Sequence, residues 1–180
     1  MFETIIKTIS YVVAFLMLTS SFDKVKNFSS SKLKITAYNI VPSKWINLFL
    51  CIGIIAELYI GISILMNLFN AFTLLVYLIL MSTYTLAIGK NILKGNIHIS
   101  CGCGGVLESD SLSKNHLFRN LVLMVSGVMM YLFLGDVQFT LFHVIAMMII
   151  AITSLYLYGS LKEYKKQLHT ISKIKNILTV

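Results

Sequence analysis

Five apolar stretches, each about long enough to cross a membrane, dominate the sequence. A helix needs about 20 apolar residues to cross roughly 30 Å of hydrocarbon. The stretches lack the strict alternation of a membrane β-strand, and the single proline, Pro42, lies outside them. We therefore predict an all-α polytopic membrane helical bundle over 1–160 and a basic tail over 161–180. The predicted spans are roughly 4–22, 45–68, 71–90, 117–134 and 139–158.

Composition identifies lipid as the natural surrounding of this chain. Hydrophobic residues make up 57% of it and charged residues only 12%, whereas a soluble domain carries about 25% charged residues. The net charge of +8 does not indicate nucleic acid, because no polar surface interleaves basic with aromatic residues. A phosphate-binding loop and a Ser-His-Asp arrangement are also missing from the sequence, which argues against common NTPases and hydrolases.

The basic residues predict the orientation of the bundle. Of the 15 lysine and arginine residues, all but Lys7 fall in or beside the segments 23–44 and 91–116 or in the tail. Short loops rich in lysine and arginine stay in the cytoplasm. We therefore predict a multi-pass protein of the cell membrane with a cytoplasmic C-terminus and with the cysteine-containing segment 91–116 also on the cytoplasmic side.

The run Cys101-Gly102-Cys103-Gly104-Gly105 is the most unusual part of the sequence. Two cysteines separated by one residue can form a disulfide only through a small, strained ring, and labile disulfides of this kind are usually regulatory or catalytic. Glycine permits positive φ angles and a close approach of a partner. The run is therefore predicted to be a redox pair on a loop that contacts a partner.

Groups near the pair leave two further interpretations open. His98 and Arg119 carry or can acquire positive charge, which favours the reactive thiolate. His98, Cys101, Cys103 and His116 are also residue types that bind zinc, but paired zinc-binding cysteines usually have two to four residues between them. Our prediction is therefore no metal. A passive glycine-rich turn is the third interpretation.

Two residues inside the second predicted span are candidates for chemistry within the bilayer. Cys51 could be a third thiol beside the pair, although a cysteine in an apolar helix is more often a small hydrophobic residue. Glu57 lies about 18 Å into the span, and a carboxyl group at that depth is a functional candidate by default. It either hydrogen-bonds Tyr77 or Thr73 for structure, or exchanges protons during thiol chemistry beside a quinone, the one cofactor considered.

Residues spread along the chain resemble the pattern of the MauE/DoxX group of redox-associated membrane proteins. The resemblance rests on residues of six segments: Phe22-Asp23-Lys24-Val25 with Phe28, Tyr38 with Pro42, Glu57 with Gly61, Gly89-Lys90, the Cys101–Gly105 run, and Arg119-Asn120. It implies four or five helices that assist disulfide formation or redox maturation of a partner, often beside a thioredoxin-like protein. It also implies that Cys101 and Cys103 are the redox pair and Glu57 is the membrane carboxylate.

The sequence departs from that group in two ways. Gly104 stands where the group usually has an aromatic residue. A role in disulfides of exported proteins implies an outward-facing pair, whereas the lysine distribution predicts a cytoplasmic one.

Our leading hypothesis is a membrane thiol-disulfide oxidoreductase or its accessory subunit, acting on a thioredoxin-like or other redox partner protein. The predicted catalytic residues are Cys101, Cys103, Cys51 and Glu57, and the predicted partner loop consists of His98, Gly102, Gly104, Gly105 and Arg119. Two alternatives come from other classes. One is a non-catalytic immunity or assembly subunit with structural or metal-bound cysteines, and the other is a small transporter that uses Glu57.

Overall fold

A computed structural model of the chain describes residues 2–96, 99–101, 112–133 and 141–178. All regular secondary structure in these residues is helical. The helices are α1 (Phe2–Lys26), α2 (Phe28–Tyr38), a short 3-10 helix (Ser43–Trp45), α3 (Ile46–Leu65), α4 (Ala71–Leu93), α5 (Lys114–Phe133) and α6 (Leu141–Leu178).

Five helices in the described part of the chain are long and apolar enough to cross a membrane. They are Glu3–Lys26, Ser43–Leu65, Ala71–Leu93, Lys114–Phe133 and Val144–Tyr164. The predicted all-α membrane bundle is therefore confirmed, and the protein is a multi-pass membrane protein. Helix α6 continues to Leu178, so the residues predicted as a basic tail extend the fifth span as helix.

Helix α2 is an element that the sequence analysis did not predict, since it lies in the segment 23–44 read as a loop. Only Ser31 and Tyr38 of this helix are buried, and its sequence shows no clear hydrophobic period. Asn39 ends it in the left-handed conformation with φ of 49°, and its N–H donates to Thr36 O at 3.0 Å. Asparagine tolerates this conformation better than most residues.

Helix α1 is the central element, with α3, α5 and α6 packed around it. It runs antiparallel to α3, which Gly61 allows to approach closely. A Cβ atom at Gly61 would lie 2.8 Å from Leu18 Cγ and 3.3 Å from Ala14 O. This agrees with the general use of small residues between membrane helices. The main core cluster comprises Ile6, Val13, Ala14, Met17, Ile60, Ile64, Tyr77, Leu80, Met81 and Met130.

Helix α4 follows α3 after a short connection, so the two are antiparallel neighbours. Asn67 takes a left-handed conformation with φ of 57°. Asn70 caps α4, its side chain accepting from Thr73 N at 2.9 Å. A polar N-cap satisfies one of the backbone donors that a helix start leaves unpaired.

Candidate functional site

Cys101 sits in a buried apolar pocket at the end of the bundle where α4 ends and α5 begins. Its exposed fraction is 4%. The pocket is formed by Tyr38 at the end of α2, Ile88 of α4 and Leu112 just before α5. A segment that the sequence predicted to be a partner-facing loop therefore enters the protein interior at this cysteine.

Tyr38 contacts the backbone carbonyls of Cys101 and of the residue before it. Its hydroxyl donates to the carbonyl oxygen of Cys101 at 2.6 Å and lies 3.2 Å from that of Ser100. The amide of Asn91, buried on α4, donates to Tyr38 O at 3.3 Å and to Ala87 O at 3.0 Å. Helix α2 is thus attached to α4 at the residue that holds the cysteine backbone.

Arg119 supplies a positive charge to the Cys101 sulfur. The residue lies in the second turn of α5, half-buried, and its Nη2 donates to Cys101 Sγ at 3.5 Å. A guanidinium is always protonated, and a neighbouring cation favours thiolate over thiol. The apolar walls reduce solvent screening of this interaction. Burial in apolar surroundings disfavours a thiolate, and the guanidinium charge opposes that effect.

A buried ion-pair centre lies inside the bundle, where α1, α3 and α4 meet. Lys24 of α1 forms an ion pair with Glu57 of α3, and their side chains are only 5% and 1% exposed. Tyr84 of α4 donates to Glu57 Oε1 at 2.6 Å and accepts from Lys24 Nζ at 2.9 Å. Ser20 of α1 donates to Glu57 Oε2 at 3.1 Å. Both carboxylate oxygens are therefore hydrogen-bonded, and the charge is balanced inside the protein.

The prediction that Tyr77 or Thr73 would bond Glu57 is wrong. Side chains on a helix lean toward its N-terminus, so Tyr84 reaches back along α4 to the level of Glu57, about one turn earlier. Tyr77 instead donates to Leu123 O of α5 at 2.8 Å. Thr73 donates to the Asn70 cap through its backbone N–H and its hydroxyl.

The sequence analysis also missed the role of Lys24, which it counted as a loop cation. Lys24 is buried and belongs to the bundle interior. A buried carboxylate requires a compensating partner. A lysine near the end of the preceding span was therefore a usable signal, because its side chain can extend several ångströms back into the bundle.

One face of α4 contributes a residue to the ion-pair centre and a residue to the Cys101 pocket. Tyr84 contributes to the ion-pair centre, and Ile88, one turn later, forms a wall of the Cys101 pocket. Four residues of helix advance about 6 Å. Two positions one helical turn apart on α4 thus contact the ion-pair centre and the Cys101 pocket.

The structure does not bring every predicted site residue together. Cys51 lies on an exposed face of α3. His98, Gly102, Cys103, Gly104 and Gly105 lie outside the described residues. His116 Nδ1 is 2.9 Å from Ser113 Oγ and accepts from Ser113 N at 3.0 Å, which caps the start of α5. Within the described ranges, no group of three or more His, Cys, Asp and Glu side chains could hold a metal ion.

The Cys101 pocket and the Lys24–Glu57 ion pair both fall within a region shared with a known family. A family model described as "Methylamine utilisation protein MauE" matches residues 3–134. The chain belongs to the MauE family. The match ends before α6 begins, so it covers the first four membrane spans of the bundle. The resemblance noted from the sequence is thereby confirmed. Comparisons with curated proteins and with solved structures find no match.

Proposed function

We propose that this MauE family member is a membrane thiol-disulfide redox protein, or the accessory subunit of one. In this proposal Cys101 and Cys103 exchange disulfides with a thioredoxin-like or other redox partner protein. The observation that carries it is the 3.5 Å contact between Arg119 Nη2 and Cys101 Sγ in a pocket of low exposure. A sulfur anion is the species that exchange chemistry requires.

The exchange proceeds through a mixed disulfide. A thiolate of the reduced pair attacks one sulfur of the partner's disulfide, forming a new S–S bond and releasing the other partner sulfur as a thiolate. The second cysteine of the pair then attacks the mixed disulfide and releases the partner's remaining sulfur. Two electrons pass from the pair to the partner, and the oxidised pair runs the same steps in reverse.

Glu57 has a different place in this proposal. Its predicted role in proton exchange beside a quinone stays a prediction. The ion pair with Lys24 and the bond from Tyr84 support a positioning role, because these contacts join α1, α3 and α4 about one helical turn along α4 from the wall of the cysteine pocket. The face of α4 that carries Tyr84 also carries Ile88, which packs against Cys101.

A second candidate function is a non-catalytic assembly subunit. Burial of Cys101 favours it, since a buried cysteine often serves only as a small apolar residue. The two candidates differ in whether the sulfurs react.

The test measures thiol exchange in native membranes. Membranes from cells expressing the wild-type chain are quenched with acid, alkylated and separated without reductant. We expect a disulfide-linked adduct with a partner protein that reductant cleaves. We expect the double variant Cys101→Ser/Cys103→Ser to lack this adduct. Ser29→Ala, at an exposed position of α2, is the control that keeps the adduct. Absence of any adduct in the wild type and in both single-cysteine variants, or its persistence in the double variant, would refute the redox proposal and favour the assembly subunit.

A further inference from the structure

The environment of Cys101 sets a geometric limit on exchange with another protein. An attacking sulfur must approach in line with the disulfide bond that it breaks. Cys101 is 4% exposed, with Ile88 and Leu112 packed against it and Tyr38 bonded to its backbone oxygen. A partner protein cannot bring a sulfur to this atom while the pocket is intact.

We propose, on the basis of the proposed function, that Cys101 is the internal sulfur of the pair and that the partner forms its mixed disulfide at Cys103. In this assignment Arg119 is the positioning residue that stabilises the Cys101 thiolate. The assignment reverses the simplest expectation from the sequence, in which either cysteine of an accessible glycine-rich loop could meet the partner.

The assignment gives Cys101 a defined task in each direction of exchange. When the pair is oxidised, a partner thiolate attacks Cys103, the Cys101–Cys103 bond breaks, and Cys101 leaves with the electron pair as a thiolate beside Arg119. When the pair is reduced, Cys103 first attacks the partner's disulfide. The Cys101 thiolate then attacks Cys103, and the partner sulfur leaves with the electron pair. No other oxidant or reductant is needed in either direction.

Arg119 suits this task by charge and by position. A thiolate that is stabilised leaves faster from a disulfide, and a hydrogen bond from a cation is stronger than one from a neutral donor. Because Arg119 lies on α5 and Ile88 on α4, the helices fix the cation and the pocket wall independently of the segment that carries the sulfur.

Single-cysteine variants test the assignment directly. Cys101→Ser retains Cys103 but cannot resolve the adduct, so we expect it to accumulate the mixed disulfide several-fold above wild type. Cys103→Ser should accumulate little or none. Peptide mass analysis identifies the cysteine that carries the partner. Equal or greater accumulation in Cys103→Ser would overturn the assignment, whereas no adduct in wild type or either variant would overturn the proposed function itself.

Variants of Arg119 test the positioning role. In the Cys103→Ser background, the rate at which a small alkylating reagent modifies Cys101 is measured against pH by peptide mass analysis. We expect Arg119→Gln to slow modification at neutral pH several-fold, because loss of the neighbouring cation lowers the fraction of Cys101 present as thiolate. Arg119→Lys should restore part of the rate. An unchanged pH profile in Arg119→Gln would remove Arg119 from the proposal. If Arg119→Gln fails to fold, a wild-type profile in Arg119→Met, which keeps a long helix-favouring side chain without the charge, would remove it equally. The single-cysteine experiment decides the assignment independently.

Discussion

Arg119 Nη2 and Cys101 Sγ lie 3.5 Å apart although the two residues are 18 positions apart in the sequence. The contact joins a membrane-spanning helix to the segment that carries the proposed redox pair. Reactivity at this sulfur is therefore expected to depend on how α5 packs in the bundle, and damage to the bundle should change thiol chemistry even where no cysteine is altered.

The ion pair between Lys24 and Glu57 is predicted to be costly to break. Lys24→Met leaves the Glu57 carboxylate buried with its main countercharge removed. We expect a loss of about 3–5 kcal/mol in stability, the usual consequence of removing one partner of a buried pair. The midpoint of thermal unfolding in detergent measures this loss.

The double variant Lys24→Met/Glu57→Leu separates charge imbalance from lost packing. Removing both charges should recover most of the stability, because apolar replacements of buried ion pairs are often neutral or stabilising. If the double variant is as unstable as Lys24→Met alone, charge compensation is not the reason for the pairing.

Gly127 is predicted to be a position where α5 accepts no side chain. A Cβ atom there would lie 2.4 Å from Cε1 of Tyr77. We expect Gly127→Ala to destabilise the protein by about 1–3 kcal/mol, the range for overpacked cores. Gly53→Ala is the matched control, since its Cβ would meet Tyr84 Oη at an ordinary 3.7 Å. Equal unfolding midpoints for the two alanine variants would contradict this account of the α4–α5 contact.

Tyr38 is predicted to limit access to Cys101. Tyr38→Phe removes the hydroxyl that bonds Cys101 O and leaves the ring in place. One lost hydrogen bond of about 1 kcal/mol should raise alkylation of Cys101 roughly fivefold. Tyr59→Phe is the control, because its hydroxyl lies 3.2 Å from Thr73 Oγ1 at the opposite end of α4. A rate unchanged by Tyr38→Phe would show that the hydroxyl does not restrict the pocket.

The predicted orientation can be tested with two added cysteines. In a variant without native cysteines, Ser30→Cys marks α2, and Leu68→Cys marks the connection between α3 and α4. A membrane-impermeant thiol reagent applied to intact cells should label the Leu68→Cys variant and leave the Ser30→Cys variant unlabelled. The reverse pattern would place the cysteine segment outside and overrule the lysine distribution as the guide to orientation.

Much of the fold followed from one physical constraint. Apolar stretches must become helices in lipid because their backbone groups have no other partners, and this predicted five spans, with α4 beginning at Ala71 as expected. Helix α2 escaped prediction because its sequence shows no hydrophobic period of its own. Only two of its residues are buried.

The candidate site was less predictable because its contacts join distant segments. Composition and spacing predicted Cys101, Glu57 and Arg119 as site residues. They did not indicate that Tyr38 would hydrogen-bond the Cys101 backbone. They also did not indicate that Lys24 would lie on α1 and pair with Glu57. Those contacts depend on the direction in which side chains lean from α1, α2 and α4, which sequence spacing alone does not specify.

The central claim is that the two loop sulfurs gain and lose two electrons reversibly. The purified protein in lipid nanodiscs is equilibrated with glutathione buffers of graded potential, quenched with acid and alkylated, and the modification of Cys101 and Cys103 is quantified by peptide mass. We predict that both cysteines change from alkylated to protected together over a single transition, and that the transition is the same from the oxidised and the reduced side. Cysteines that stay in one state across all potentials would contradict the account.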